Sequence, residues 1–167
     1  MTRALLIIDI QQDYFGGGAL PLHRADDVET AVLGAIAQAK RAGDRIVLVR
    51  HVSDAPTGLF AETGSGIEVR PAVLAAAHDA PVVTKRFADA FQETNLDKHL
   101  DGVTELLICG MMTQNCVVFT AMSEAAKGFD VSVIGDLCTA PAEIVHLIAL
   151  SALKSKLRVV TAASIWP

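Results

Sequence analysis

The stretch Ala4–Ile10 (ALLIIDI) constrains this chain more than any other, because it is apolar at every position except Asp9. An uninterrupted apolar run this short is the pattern of a strand covered on both faces, as in parallel sheets packed between helices. A surface strand would alternate with period two instead. The run is also far shorter than a membrane-spanning helix requires, and no small-residue cleavage site follows it.

The rest of the chain repeats the theme. Asp26 to Arg41 carries Val28, Val32, Ile36 and Ala39 at helical spacing, with Gly43 as a C-terminal stop. Strands are predicted at Arg45–Arg50, Pro81–Lys85, Glu105–Gly110, Asp130–Gly135 and Leu157–Thr161. Helices are predicted at Thr94–Leu100 with Thr94 as N-cap, at Thr113–Lys127 closed by Gly128, and at Ala142–Leu153. Alternating strands and helices predict an α/β fold of three αβα layers. Its six-stranded, mostly parallel sheet would carry helices on both faces through right-handed crossovers. No linker or repeat divides residues 1–167, which read as one domain of 167 residues. The stretch Pro56–Arg70 lacks periodicity, and a loop of that length suits a cover over a site.

Charge narrows the function classes. The formal net charge is −5, and the basic residues form no cluster longer than Lys85-Arg86. Nucleic acid and anionic membrane surfaces are therefore not expected as partners. Cys109, Cys116 and Cys138 show no CxxC spacing, so neither a disulfide framework nor a zinc site is expected, and a reducing cytoplasm is the default setting. His23, His51, His78, His99 and His146 show no ligand spacing, so no metal is expected. Gly16-Gly17-Gly18 lacks the spacing of a phosphate loop, and no cofactor is expected.

In parallel α/β sheets ligands gather at the carboxyl ends of the strands. Asp9 near the end of the first strand, Lys85 at the end of the third and Cys116 just past the fourth would meet at that edge. Taken singly, Asp9 reads as a strand terminus or cap, Lys85 as a snorkelling surface lysine and Cys116 as a buried small hydrophobe. Together they make a nucleophile, a proton carrier and a cation. Cys116 in a first helical turn beside Lys85 is expected to have a lowered thiol pKa. Asp9 would take and return the proton. The backbone amides of Met112 and Cys116 are candidate oxyanion donors. His51, Phe15, Phe91 and Phe119 are candidate pocket residues.

Three motifs then resemble the isochorismatase-like cysteine hydrolase superfamily, which includes nicotinamidases, N-carbamoylsarcosine amidases and isochorismatases. Leu6-Ile7-Ile8-Asp9-Ile10-Gln11-Gln12-Asp13-Tyr14-Phe15 is similar to an apolar strand ending D-x-Q-x-D-F. Lys85 with Ala90-Phe91, Thr94 and Leu96 is similar to K…S/A-F…T-x-L. Gly110-Met111-Met112-Thr113-Gln114-Asn115-Cys116-Val117 is similar to G-x-x-T-x-x-C-V. The resemblance implies a six-stranded parallel sheet, a catalytic triad of Asp9, Lys85 and Cys116, and a cis peptide between Met111 and Met112. It also implies association into a homo-oligomer, a dimer or tetramer, which the mean hydropathy of +0.41 suits. Nicotinamidases carry an Asp and several histidines for a metal after the second strand. Here that segment, Arg50–Pro56, holds one histidine, which disfavours a metal-dependent nicotinamidase. The expected activity is hydrolysis of a small-molecule amide or related C–N bond through a Cys116 thioester. The alternatives are an isochorismatase-type vinyl-ether hydrolase and, from another class, a redox or electrophile sensor or a non-catalytic binding protein.

Overall fold

A computed structural model describes residues 2–167 and shows six parallel strands in one sheet. In chain order these are β1 (Arg3–Ile8), β2 (Arg45–His51), β3 (Val82–Lys85), β4 (Glu105–Met111), β5 (Asp130–Thr139) and β6 (Arg158–Val160). The helices between and after them are α1 (Ala25–Ala42), α2 (Pro71–Ala76), α3 (Leu96–His99), α4 (Val118–Ala121), α5 (Glu143–Lys154) and, following β6, α6 (Ala162–Ile165). None is long and apolar enough to cross a membrane.

The spatial order β3-β2-β1-β4-β5-β6 grows in one direction from β1 to β3 and in the other from β4 to β6. With right-handed crossovers, the two halves place their helices on opposite faces. The direction reverses between β1 and β4, and at such a switch point parallel α/β sheets bind their ligands, at the strands' carboxyl ends. Strand β1 lies between β2 and β4 and is buried from Ala4 to Ile8, which explains its unbroken apolar sequence.

Helix α1 buries Val28, Val32, Ala35, Ile36 and Ala39 on one stripe. Asp26 and Asp27 lie in its first turn and Lys40 and Arg41 in its last, matching its dipole. Gly43 at φ +76° closes it, its N–H donating to the last-turn carbonyls. After β6, the chain returns to the α1 side, where the Trp166 indole donates to Asp44 at 2.9 Å.

Two expectations need correction. The helix predicted over Thr113–Lys127 is three pieces: a π-helical turn at Thr113–Val117, α4, and a 3-10 helix at Glu124–Gly128. The break falls at Ser123, whose side chain accepts from Ala125 N at 3.3 Å and caps a new turn instead of continuing the old one. The short helix after Thr94 begins at Leu96 rather than Thr94, although Thr94 Oγ1 still accepts from Leu96 N at 3.3 Å.

Candidate active site

The site begins where β1 stops. Asp9 follows Ile8 with φ +52°, a left-handed conformation that costs a non-glycine residue about 1–2 kcal/mol and turns its side chain out of the strand's alternation. Its N–H still donates to Val49 O at 3.0 Å, so the turn stays tied to β2. On the other side Gly110 of β4 sits at φ +117°, and a Cβ there would meet Ile8 O at 2.0 Å. Only glycine lets β4 pass this close to the end of β1.

Lys85 ends β3 and is the in-register partner of His51 on β2. Its side chain crosses toward β1, and its ammonium becomes the centre of the site. Nζ donates to His51 Nδ1 at 2.8 Å, to the Phe87 carbonyl at 3.1 Å and to Cys116 Sγ at 3.2 Å. It also lies 2.9 Å from Asp9 Oδ2. The Asp9 contact is an ion pair, and neither of the buried carboxylate oxygens accepts an aligned hydrogen bond. Asp9, Lys85 and Cys116 are 0%, 1% and 2% exposed. The ammonium beside the buried carboxyl group offsets part of the desolvation cost of the pair.

Cys116 is carried by the π-helical turn, in which Asn115 N and Val117 N both donate to Met112 O at 3.1 and 3.3 Å. The Met111–Met112 peptide bond is cis. Thr113 pins the start of the turn: its hydroxyl donates to Thr139 O at 2.9 Å and so must accept from His146 Nδ1, 2.8 Å away.

Burial pushes the Cys116 thiol up to about 12, with Asp9 adding to the rise and Lys85 opposing it. This corrects the expectation of a lowered thiol pKa. The cation is in place, but an almost water-free setting and a neighbouring carboxylate outweigh it. For Lys85 burial acts downward, yet Asp9 and Cys116 prevail and its pKa is raised. His51 is held below the usual histidine range by burial and then by Lys85. Its Nδ1 accepts from the ammonium, so it is neutral with the proton on Nε2.

The segment Pro56–Arg70 packs beside this cluster, with the Phe60 and His51 ring centroids 5.7 Å apart. Phe60 N donates to Asp13 Oδ2 at 2.6 Å, Gln12 N to Glu68 O at 2.9 Å, and Arg70 N to Ile10 O at 2.9 Å. Gln11, fully buried, donates from Nε2 to His51 O and Ile67 O at 2.8 and 2.9 Å and accepts from His51 N at 2.7 Å. One amide thus ties β1, β2 and this segment together. Tyr14, also buried, packs edge-on against Phe60 with ring centroids 4.8 Å apart. Burial, then Asp9 and Cys116, push its phenol pKa upward, so it stays protonated beside the cluster.

The structure brings Asp9, Lys85, Cys116 and His51 together, and the three phenylalanines predicted for the pocket each have a contact or exposure of their own. The Phe15 ring lies 4.1 Å beneath the Arg70 guanidinium, Phe91 stacks on Phe129 at 6.2 Å, and Phe119 is more than half exposed on α4. Sequence reasoning missed Gln11, Asp13, Tyr14, Thr113 and His146. The first four stand inside the first and third motifs, where the spacing was visible but not the partners. Nothing local marks His146, which reaches Thr113 only through the packing of α5.

A doubly wound α/β protein whose strand-order switch encloses an Asp–Lys–Cys cluster is the class that this fold and site define. The Isochorismatase domain family matches residues 3–164, and the chain belongs to that family as an isochorismatase-family hydrolase. It is 30% identical to the isochorismatase family protein YddQ of Bacillus subtilis (strain 168), over 92% of each chain. It is 33% identical to a streptothricin hydrolase of Streptomyces noursei over 76% of this chain and 46% of that protein. The structure of Pyrococcus horikoshii pyrazinamidase in complex with zinc superposes with a TM-score of 0.83 at 27% identity, covering 96% of this chain and 99% of that one.

The zinc in that relative makes the donor set here worth testing. Asp9, His51 and Cys116 each offer one ligand atom, all within 4.8 Å of one another. However, Lys85 Nζ stands among them, already bonded to the imidazole and the sulfur and paired with the carboxylate. A divalent cation there would face an ammonium at contact distance. Just after β2, Asp54 is paired with Arg86, and the Ser53 hydroxyl accepts from Ala55 N. The residues present are arranged around lysine and do not fit a metal.

Proposed function

We propose that the chain hydrolyses an amide or related C–N bond of a small molecule through a thioester on Cys116. The observation that carries this reading is Lys85 Nζ held between Asp9 Oδ2 at 2.9 Å and Cys116 Sγ at 3.2 Å in a buried cluster. Asp9 takes the thiol proton as sulfur attacks the carbonyl carbon. Because the thiol sits near pKa 12, the thiolate forms within the attack and does not stand in advance. The amides of Met112 and Cys116 receive the charge on the carbonyl oxygen. Asp9 then gives its proton to the departing nitrogen, the C–N bond breaks, and a thioester is left. Water enters, Asp9 takes one of its protons, and the carboxylic product leaves as the thiol is restored.

Lys85 keeps the changing charges on Asp9 and Cys116 neutralised throughout. His51 holds Lys85 by its free Nδ1 lone pair, a positioning role. The streptothricin hydrolase and pyrazinamidase relatives suit a substrate of this class. A reducing, cytoplasmic setting keeps Cys116 reduced, and the chain works as a homo-oligomer. An ammonia-release assay over a panel of small primary carboxamides tests the reading. Cys116→Ala and Asp9→Asn should each lower turnover by roughly a thousandfold or more, since a nucleophile and its proton carrier act as a unit. Full activity in Cys116→Ala would refute the mechanism.

A further inference from the structure

Exposed apolar surface gathers on one side of the molecule. Ile144, Leu147 and Ile148 on α5 are 62%, 52% and 63% exposed, and Phe119 and Met122 at α4 are also exposed. Ile144 and Ile148 stand one turn apart and form a stripe. Between Glu143 and Lys154, α5 carries no Asp, Glu, Lys or Arg. Beside the stripe runs a groove of about 280 Å³ lined by Gln114, Val118, Val145, Ile148, Ala149 and Ala152. Ala149 and Ala152 leave space there that larger side chains would fill.

We propose that this face docks a second copy of the chain, α5 against α5 in antiparallel fashion, about a twofold axis close to Ile148. The inference rests on the homo-oligomer proposed for the chain and names its surface. Three features select a second copy. Antiparallel pairing about Ile148 sets Ile144 of one protomer opposite Ala152 of its partner, so a large side chain meets the groove where a small one lines it. The same register brings acidic Glu143 of each chain within one residue of basic Lys154 of the other, a complementarity that a twofold axis repeats. The five exposed side chains present roughly 500 Å² of apolar surface, at the upper end for a patch left bare on a monomer. That is a suitable centre for the roughly 800 Å² that each partner buries in a standard interface. An anionic membrane is a poor occupant, because the patch has no cluster of cations.

Sedimentation equilibrium on the full chain tests the proposal. Wild type should run as a dimer, or as a tetramer containing this dimer. Ile148→Glu, which sets two like charges on the axis, should raise the dissociation constant by at least roughly a hundredfold. An unchanged far-UV circular dichroism spectrum should accompany that loss, since Ile148 is a surface residue. Glu143→Lys or Lys154→Glu alone should weaken association by about twofold to tenfold, and the double exchange should restore it. A monomeric wild type would overturn both the homo-oligomer reading and this face. An Ile148→Glu variant as dimeric as wild type would overturn the face alone.

Discussion

The Asp9 carboxylate accepts no aligned hydrogen bond, Lys85 has more acceptors around it than hydrogens, and Cys116 keeps its proton. Their charges are therefore interdependent, which alkylation of Cys116 by iodoacetamide can measure. Asp9 raises the thiol pKa, so Asp9→Asn should lower it and speed labelling at pH 8. Lys85 opposes the rise, so Lys85→Met should raise the thiol pKa further and slow labelling. While the thiol is mostly protonated, lowering its pKa by about one gives about tenfold more thiolate at a fixed pH. Rate profiles across the alkaline range separate this from altered access, because a pKa change moves the curve along the pH axis. Profiles that coincide in all three proteins would show that the thiol does not feel its neighbours, as a simple electrophile sensor would behave. At this scale the sequence showed which residue types meet but not how deeply. The lowered thiol pKa was a fair inference from a helix start and a lysine; burial, which no motif displays, reversed its sign.

The elements that were legible are those with strong periodicity or unbroken apolar runs. The six strands lie within a few residues of their predicted places, and α1 within one residue at each end. Less was readable where tertiary partners decide. The π-helical turn that carries Cys116 exists because Met112 O accepts from both Asn115 and Val117 while Thr113 is tied to Thr139 and His146. Helix propensity over Thr113–Lys127 points only to one continuous helix. The segment beside the site was legible as an aperiodic stretch, but its anchor was not. Asp13 accepts from Phe60 N and Ala19 N, and a Cβ on Gly66 would strike its carboxylate at 2.1 Å, so the segment is shaped around this one side chain. Asp13→Ala should free the 58–68 segment, destabilise the protein by about 2–4 kcal/mol and speed Cys116 labelling at fixed pH. Hydrogen exchange read by mass spectrometry should quicken in that segment and leave α1 unchanged. Equal quickening everywhere would mean that Asp13 supports the whole fold and not this segment.

For the whole molecule, the strand-order switch between β1 and β4 joins fold to site, since it brings together residues from positions 9, 85 and 116. That much followed from alternating strands and helices. The outward face of α5 did not, because an apolar helix in an α/β sequence reads as core. The site also couples to overall stability. His51 and His146 are both held below the usual histidine range, by burial first, so below about pH 6.5 the unfolded chain takes up protons that the folded chain refuses. Stability from these groups is full above that pH and is lost as pH falls through their folded values. Urea unfolding of wild type should therefore show a larger loss between pH 7.5 and 5.5 than His51→Gln shows; equal losses would remove His51 from the linkage. The covalent bond between substrate and Cys116 is open to the most direct measurement. Rapid-quench intact-mass spectrometry on a carboxamide that the protein turns over should show wild type heavier by the acyl group, and Cys116→Ala neither modified nor active. Turnover with no acyl adduct in wild type, retained in Cys116→Ala, would contradict the account.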